Sequence, residues 1–254
     1  MPKISFAFAD DAPIVAAPAG VLGEVETRAM FNRDGDPIHL YLHRLAPGAE
    51  VRFVGAPTDR AFYVWKGSIT AGGASLGPRS SAIVEHGASL AATACGEGAT
   101  LLAFAAKERG SEGRMGGHVH LLPRERVPRH DSIEGNRVGM ALHADAQCPT
   151  CRLWLHENDY PGADAETALH SHTEDEVIFV RAGTIRLGNR LCPPGTALAI
   201  AANTKYGFSS GPDGLSFVNF RGAAPTYVPA DGSKVLDEAA LWHSVVGKPE
   251  YLAG

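Results

Sequence analysis

The segment LHSHTEDEVIFVRAG, residues 169–183, places two histidines and a glutamate at the start of an apolar, strand-like run. Side chains alternate between the two faces of a β-strand, so His170, His172 and Glu176 project to the same side if the strand is unbroken. On a helix the two histidines would diverge. Two imidazoles and one carboxylate on one side of a cation are typical of non-haem Fe(II) sites, which keep positions open for substrate or oxygen. Zn, Mn and Ni can use the same donors.

The composition of the 254-residue chain is that of an ordinary globular protein, with 44% hydrophobic and 20% charged residues. Its 29 Gly and 17 Pro predict many turns and short strands. The formal net charge is -5 and the basic residues are scattered, which argues against nucleic-acid binding. We find no apolar run of membrane-spanning length, a poor match to a secretory signal, and four cysteines, too few for a disulfide framework. We therefore expect a cytoplasmic protein that binds neither nucleic acid nor membrane.

An internal repeat organises the sequence. Residues 61–84, AFYVWKGSITAGGASLGPRSSAIV, align without gaps on residues 177–200, VIFVRAGTIRLGNRLCPPGTALAI. Each copy consists of short runs rich in Val, Ile, Phe and Tyr between Gly, Pro and Asn turns, which is typical of an all-β sandwich or barrel. At the same offset, Gly67 pairs with Gly183 and Gly98 with Gly214.

The join between the copies is expected in the Gly-, Arg- and Pro-rich segment that ends near Pro128, giving domains 1–127 and 128–254. Helical periodicity is scarce before the segment VLDEAALWHSVV, which predicts a short C-terminal helix with a packing role. Its expected apolar stripe comprises Leu236, Ala239, Ala240 and Val246.

The opening segment resembles the first motif of the cupin superfamily, His-x-His-x-x-x-Glu-x-x-x-x-x-x-Gly, at His170, His172, Glu176 and Gly183. PPGTALAIAANTKYGF, residues 193–208, is similar to the second motif, a Pro-Gly turn followed by a strand and a further histidine. With the repeat, the resemblance implies a bicupin of two tandem double-stranded β-helix, jelly-roll-like barrels. It also implies a divalent metal ion in the C-terminal barrel, with Fe(II) the first expectation and Zn, Mn or Ni as alternatives.

The second motif departs from the family pattern, because Tyr206 stands where the fourth ligand histidine would be. Its phenol could ligate the metal as a phenolate or serve as a catalytic acid or base. It could also be an ordinary aromatic residue of the barrel lining. These alternatives remain open from the sequence.

The first repeat lacks the ligand set. Its corresponding positions hold Val54, Ala56, Arg60 and Leu90, which cannot bind a metal in the family's way. The N-terminal barrel is therefore expected to be a degenerate copy that packs against the other barrel, helps to form a homodimer, or shapes the entrance to the site.

A substrate pocket is expected beside the metal. Trp154 and His156 share one face of a predicted strand, and an apolar wall would favour ligand binding. Arg181, Lys205 and Arg221 are nearby cations that could hold a substrate carboxylate, although surface solvation is their ordinary fate. The expected pocket residues are Trp154, His156, Ile178, Val180 and Phe208.

Two further groups have ligand-like spacing. His118 and His120 are followed by Arg124 where a glutamate would be needed, so we interpret them as structural or surface residues. Cys148 and Cys151 have the spacing of half a zinc site or of a redox pair. His143 with Cys192 is an unconvincing second half, so we interpret the two as reduced thiols, with a redox role as the alternative.

The leading hypothesis is a non-haem Fe(II) dioxygenase that acts on a small chelating substrate such as a diketone, enol or phenol. The first alternative is a non-redox lyase, decarboxylase or isomerase that uses Zn, Mn or Ni, with Tyr206 as the catalytic acid or base. The second is a small-molecule or metal-binding sensor module without turnover.

Overall fold

The computed structural model describes residues 3–36, 38–54, 58–106, 116–131 and 138–254. These ranges are mostly β-structure, as the sequence predicts, and contain one α-helix, α1 (Glu238–Val245), and one 3-10 turn, Arg124–Arg126. No helix within them is long and apolar enough to cross a membrane. In chain order the strands are β1 Ile4–Phe8, β2 Ile14–Val15, β3 Val21–Gly23, β4 Glu26–Phe31, β5 Ile38–Leu45, β6 Glu50–Val54, β7 Arg60–Ala71, β8 Ala74–Leu76, β9 Ser81–Val84, β10 Ser89–Ala106, β11 Val119–Leu122, β12 Arg129–His130, β13 Gly139–Ala144, β14 Trp154–Tyr160, β15 His170–Ser171, β16 Glu176–Leu187, β17 Arg190–Cys192, β18 Thr196–Ile200, β19 Ser209–Arg221, β20 Thr226–Pro229, β21 Leu236–Asp237 and β22 Leu252–Ala253.

The strands form two large antiparallel sheets and one small sheet. The first has the order β2-β4-β5-β10-β7-β9-β11-β22, with β8 beside β7, β6 beside β10, and β3 beside β6. The second has the order β1-β18-β16-β19-β14-β13-β12, with β17 beside β16. The small sheet has the order β15-β20-β21 and lies at the start of the histidine motif.

The internal repeat corresponds to equivalent strands of the two sheets. β7 and β16 each pair with the next short strand in a hairpin, and then with a long later strand, β10 or β19. β5 and β14 flank those long strands on the other side. The aligned segments therefore have the same pairing pattern as well as similar sequences.

The glycine of the first motif is required by a close approach between strands. Gly183 has a φ of +65°, and a Cβ atom there would lie 2.2 Å from the carbonyl oxygen of Gly214. Gly67 has a φ of +68°, and its Cβ atom would lie 1.9 Å from the carbonyl oxygen of Gly98. L side chains rarely adopt this backbone conformation, and neither position has room for one.

The chain passes from the first sheet to the second near the predicted join. β11 is at one edge of the first sheet, and β12, which follows Pro128, opens the second. The two terminal strands depart from the simple division at this point. β1 pairs with β18 of the second sheet, and β22 pairs with β11 of the first.

The largest hydrophobic cluster contains side chains from both sheets. Phe104 stacks on Phe220 with ring centroids 5.1 Å apart, and Trp65 meets Phe179 edge-on at 4.9 Å. Burial of such large aromatic side chains removes much apolar surface from water. The two halves thus meet through one shared hydrophobic cluster, and each half also has a cluster of its own.

A buried polar contact fixes the register of the halves. The carboxylate of Glu157 accepts hydrogen bonds from the hydroxyl of Tyr63 at 2.7 Å and from Nε of Arg79 at 2.7 Å. His143 lies 3.1 Å from the same carboxylate. The Arg79 and His143 contacts hold the pKa of Glu157 well below its usual value, although burial acts to raise it.

The C-terminal helix forms, but its buried stripe differs from the prediction. Ala239 and Trp242 are buried, whereas Leu236 and Ala240 are exposed. Leu236 lies before the helix in β21, so it does not share the helical periodicity. The helix begins at the N-cap Asp237, whose carboxylate accepts the backbone N–H of Ala240.

Gly183→Ala is expected to destabilise the protein by about 3 kcal/mol or more. The cost of a left-handed backbone at alanine and the cost of the clash with the carbonyl oxygen of Gly214 both contribute. Gly188→Ala is the matched control, since Gly188 has a φ of +57° but a Cβ atom added there would have nothing within 4 Å. We expect about 1 kcal/mol there. Urea unfolding of both variants measures the difference. If the two variants lose the same free energy of unfolding, the close contact between residue 183 and Gly214 contributes nothing to the cost.

Candidate functional site

A cavity of about 420 Å³ opens beside the histidine motif. Aromatic and aliphatic side chains from β14, β16 and β19 form much of its wall, and α1 closes one side with Leu241 and Trp242. His170, His172, Tyr206 and Arg221 all face this space. An apolar cavity with a few converging polar groups is the usual form of a small-molecule site.

The two histidines of the motif are oriented by backbone carbonyls. Nδ1 of His170 lies 2.7 Å from the carbonyl oxygen of Ala168, and Nδ1 of His172 is hydrogen-bonded to the carbonyl oxygen of Thr226. A carbonyl only accepts, so each Nδ1 carries the proton and each Nε2 keeps a lone pair. Histidines that bind metals are usually held in this way. Burial lowers the pKa of His170, which favours its neutral form.

Glu176 is buried and has one free oxygen. Its Oε2 accepts hydrogen bonds from Nδ2 of Asn219 at 2.7 Å and from Nη2 of Arg221 at 3.2 Å. Oε1 makes no hydrogen bond of normal geometry and lies 3.8 Å from Nε2 of His172, and the hydroxyl of Tyr206 is close enough to help lower the pKa of this carboxylate. Burial acts to raise the pKa of this carboxyl, but Arg221, His172 and the hydrogen-bonding groups of Tyr206 and Asn219 together outweigh it and hold the pKa below 4.5.

Tyr206 joins the same group. Its hydroxyl lies 3.3 Å from Nε2 of His172, and its ring packs on that of His170 with centroids 4.6 Å apart. Burial, together with the nearby carboxylate of Glu176, holds the pKa of the phenol well above 10. The hydroxyl is therefore protonated and can donate a hydrogen bond.

Arg221 lies at the centre of the site and is 2% exposed. Its Nη1 donates to Glu238 at 2.5 Å, and its Nη2 lies 3.2 Å from Nε2 of His172. Glu174 lies 3.7 Å from Nη1. The sequence suggested surface solvation for this arginine, but Arg221 is at the end of β19 on the inward face that it shares with Asn219.

The side chains of His170, His172 and Glu176 are of the types that bind a divalent metal ion, but their donor atoms would have to move closer together to bind one. Two imidazole nitrogens and a carboxylate are donors that divalent ions accept, and three carboxyl groups surround one guanidinium. Both histidines line the cavity, whereas Glu176 lies behind its wall. The donor atoms of His170, His172 and Glu176 are too far apart to share an ion as they stand. Among the described residues, three or more potential ligand atoms lie within 4.8 Å of one another only in a different group, described below. Metal binding would require His170, His172 and Glu176 to draw together and Arg221 to leave Nε2 of His172.

Three of the five expected pocket residues line the cavity: His156, Ile178 and Phe208. Trp154 does not, because α1 covers its end of the strand, and its ring packs edge-on against Trp242 at 5.9 Å. Val180 is fully buried one step further along the strand, in the cluster behind the cavity wall.

His156 occupies a special position in the wall. Its Nδ1 is buried without a hydrogen-bond partner, its ring packs 4.4 Å from that of Trp242, and burial lowers its pKa well below 6.5. In the first half, the buried His43 lies 3.0 Å from Oγ1 of Thr27 through its Nδ1. The strand register places Tyr41, not His43, at the position equivalent to His156. Burial lowers the pKa of His43 to about 4. Both histidines are therefore neutral at pH 7.

The positions in the first half that correspond to the ligands present no ligand set. Arg60 and Leu90 are buried, and Val54 is half-buried at the end of its strand. The guanidinium of Arg60 lies 5.7 Å from the ring centre of Phe62. Ala56 lies outside the described residues.

Sequence reasoning missed several residues of the site. Asn219 could have been found by alternation from Arg221 on the same strand. Glu238 lies in a helix that we expected only to pack, and Tyr227 stacks on His170 at 4.6 Å from a strand with no motif. Of the other cations considered, Arg181 instead pairs with Asp159 at 3.0 Å, and Lys205 does not line the cavity.

Comparison with known proteins supports the fold. No family model and no curated protein matches the sequence. Among solved structures, the E. coli protein YlbA of family DUF861 matches with a TM-score of 0.67 and 15% identity, covering 86% of this chain and 90% of its own. A candidate dioxygenase of Nostoc punctiforme matches with a TM-score of 0.65 and 11% identity, covering 93% and 87%.

A variant of Bacillus subtilis oxalate decarboxylase OxdC is also similar, with a TM-score of 0.65 and 14% identity, covering 89% of this chain and 79% of its own. Another structure of that enzyme is described by its Mn(II) centres. These neighbours are cupin-type proteins, so the fold of this chain is of the cupin type. At such low identity the likeness concerns the fold alone.

Arg221→Met is expected to cost about 3–5 kcal/mol at pH 7, because buried carboxylates lose their cation. In the wild type, the pKa of Glu176 is depressed, so its stabilising contribution is present above pH 4.5 and is lost as the pH falls through the folded-state pKa. In the variant, burial would raise that pKa above 4.5, so the penalty should shrink as the pH falls. Urea unfolding at pH 7 and pH 5 measures the change.

Arg186→Met is the control for this variant, since Arg186 forms an exposed pair with Asp164. We expect it to cost less than about 1 kcal/mol at either pH. If Arg221→Met lowers the free energy of unfolding by as little as Arg186→Met does, or by an amount that does not depend on pH, then Arg221 does not stabilise the protein by neutralising buried carboxylates.

Proposed function

We propose that this chain is a metal-dependent enzyme, a non-haem Fe(II) dioxygenase that acts on a small chelating substrate. The observation that carries the proposal is the orientation of three donors. Backbone carbonyls hold the two Nδ1 atoms of His170 and His172, and Asn219 and Arg221 hold one oxygen of Glu176, which leaves the two Nε2 atoms and Oε1 as the metal-binding atoms. Nε2 of His172 would exchange its contacts with Arg221 and Tyr206 for the ion. Two histidines and one carboxylate with open positions are the ligand set of non-haem Fe(II) oxygenases.

The bound metal would polarise a chelating substrate and supply electrons to oxygen. The chain's own residues would position that substrate. The hydroxyl of Tyr206 can donate a hydrogen bond to a substrate oxygen, and the guanidinium of Arg221 can compensate negative charge. Ile178, Phe208 and Trp242 would cover the apolar part of the substrate and exclude water.

The metal-binding role of Tyr206 is the weaker alternative in this proposal. Burial and the carboxylate of Glu176 hold the pKa of the phenol well above 10, so a bound metal would have to overcome both effects to make it a phenolate ligand. We therefore propose His170, His172 and Glu176 as the metal ligands, and Tyr206 as a catalytic residue that donates a hydrogen bond or a proton.

A non-redox lyase or decarboxylase that uses Zn, Mn or Ni is the second candidate. The observation in its favour is the protonated hydroxyl of Tyr206 beside His172, opposite a cationic guanidinium that suits a carboxylate substrate. Similarity to oxalate decarboxylase is compatible with this chemistry at the level of fold.

We also propose that the two sheets are two tandem barrels, which would make the chain a bicupin with its metal site in the C-terminal copy. The equivalent pairing of β7 and β16, and the matching glycine contacts, support this interpretation. Assembly as a homodimer remains a prediction.

Elemental analysis of protein produced with ample iron tests the proposed ligands. We expect near-stoichiometric iron in the wild type and its loss in the His170→Ala/His172→Ala variant, with oxygen uptake on diketones or phenols at least about a hundredfold lower. His118→Ala is the control, because this histidine lies outside the cavity and its loss should leave iron unchanged. Iron that survives loss of both histidines would refute the assignment.

Tyr206→Phe separates the two candidate reactions. If Tyr206 transfers a proton, this change should lower kcat by about a hundredfold or more while metal content stays the same. If the hydroxyl only positions the substrate, KM should rise with a small effect on kcat. Steady-state kinetics on the substrate identified by oxygen uptake or by product analysis measures the split, and unchanged constants would remove Tyr206 from the mechanism.

A further inference from the structure

A second group of potential metal ligands lies away from the cavity. Glu85, His120, Cys148 and Cys151 each place one donor atom within 4.8 Å of the other three. Glu85 and Cys151 are fully buried, Cys148 is 9% exposed, and the side chain of His120 is 16% exposed. The sequence offered no convincing partners for the two cysteines and predicted reduced thiols, but the fold brings His120 and Glu85 to them.

We propose that these four side chains bind one Zn²⁺ ion. Zinc is coordinated by Cys sulfur, His nitrogen and carboxylate oxygen, and four protein ligands in a tetrahedron are typical of structural sites. Thiolates also suit copper(I) and iron–sulfur clusters, but a hard carboxylate oxygen beside two sulfurs favours the borderline zinc ion. The site would therefore be structural, with no position left for substrate.

The carboxylate of Glu85 is already positioned for this role. Its Oε2 accepts the backbone N–H of His118 at 3.1 Å, while Oε1 lies 2.7 Å from Nε2 of His120. Metal–ligand distances of about 2.0–2.3 Å would separate neighbouring donors by roughly 3.3–3.8 Å in a tetrahedral site. The ion would replace the hydrogen bond between Glu85 and His120 and move these two atoms apart by several tenths of an ångström.

The cysteines are presented by a short ordered turn. The backbone N–H of Cys148 donates to the carbonyl oxygen of Asp145 at 2.8 Å, and the carboxylate of Asp145 accepts the N–H of Gln147 at 2.9 Å. Thr150 lies beside both halves of the site, with its Oγ1 3.5 Å from Sγ of Cys148 and 3.4 Å from Nε2 of His120. All four cysteines of the chain are free thiols.

A route from solvent leads to the group. A cavity of about 430 Å³ is lined by His118, His120, Cys148 and Tyr251, so an ion can reach His120 and the thiol of Cys148 from it. Glu85 and Cys151 lie buried behind these two side chains. The ring of Tyr251 packs 4.8 Å from that of His120 and covers one side.

The site would join the two halves of the protein. Glu85 follows β9 and His120 lies in β11, both in the first sheet, whereas the cysteines lie between β13 and β14 of the second. One ion would thus crosslink segments that are far apart in the sequence, and zinc binding should stabilise the folded chain as a whole.

Cobalt substitution of the full-length wild-type protein tests the proposal without any variant. After removal of bound metal with a chelator, Co²⁺ alone is titrated and the near-ultraviolet and visible spectra are recorded. We expect a thiolate-to-cobalt charge-transfer band and intense tetrahedral visible bands that saturate at one equivalent and disappear when Zn²⁺ is added. Absence of the charge-transfer band would overturn the proposal, as would a Cys148–Cys151 disulfide in freshly purified protein.

Variants then assign the ligands. Cys148→Ser/Cys151→Ser should lose the charge-transfer band, whereas His170→Ala/His172→Ala should keep it. The two double variants therefore distinguish failure of the zinc proposal from failure of the proposed iron site. His120→Ala should weaken zinc affinity at least about tenfold, and His118→Ala, a matched change two residues away, should leave it unchanged. Equal affinity in all variants would exclude the site.

Discussion

Arg221 is the group on which the arrangement of the cavity depends, because it is a buried guanidinium in contact with residues from three different segments. It contacts Glu176 at the start of β16, His172 before that strand, and Glu238 at the start of α1. A buried charge is tolerated only when its donors and acceptors are satisfied, so these segments must be placed together. The helix, the histidine motif and the end of β19 consequently form one unit.

In this arrangement, the guanidinium of Arg221 competes with a metal ion for the same side chains. The guanidinium and a divalent cation would share the carboxylate of Glu176 and would repel each other at His172. Both can be accommodated if Arg221 stays on Oε2 of Glu176 and on Glu238 while the metal takes Oε1 and the imidazoles. The two oxygens of one carboxylate would then have separate partners, which fixes the carboxylate plane and the direction of the free lone pairs.

The sequence predicted those features that depend on local geometry or on the internal repeat. The repeat located the equivalent strands and the glycine at position 183. The unbroken strand expected to align His170, His172 and Glu176 does not form, because β15 ends at Ser171 in the small sheet and β16 begins at Glu176 in the second. The segment between the two strands, rather than strand alternation, therefore sets the relative positions of these side chains. The sequence failed where distant segments meet. Nothing near Arg221 indicates that α1 will supply Glu238, and nothing near Cys148 indicates that Glu85 and His120 will lie beside it. Trp154 was assigned to the pocket for the same reason, since strand alternation gives its face but not the helix that covers it.

Each terminal strand pairs with the sheet of the opposite half, so the first half is needed for the fold of the second even though it supplies no cavity ligands. β1 completes an edge of the sheet that carries the histidine motif, and β22 extends the edge of the other sheet. Neither half, cut out of the chain at Pro128, would contain all the strands of its own sheet, and each would expose an unpaired edge prone to aggregation. Because the terminal strands are exchanged in this way, side chains inside the first half can change without loss of the cavity ligands, but deletion of that half would remove part of the scaffold of the other.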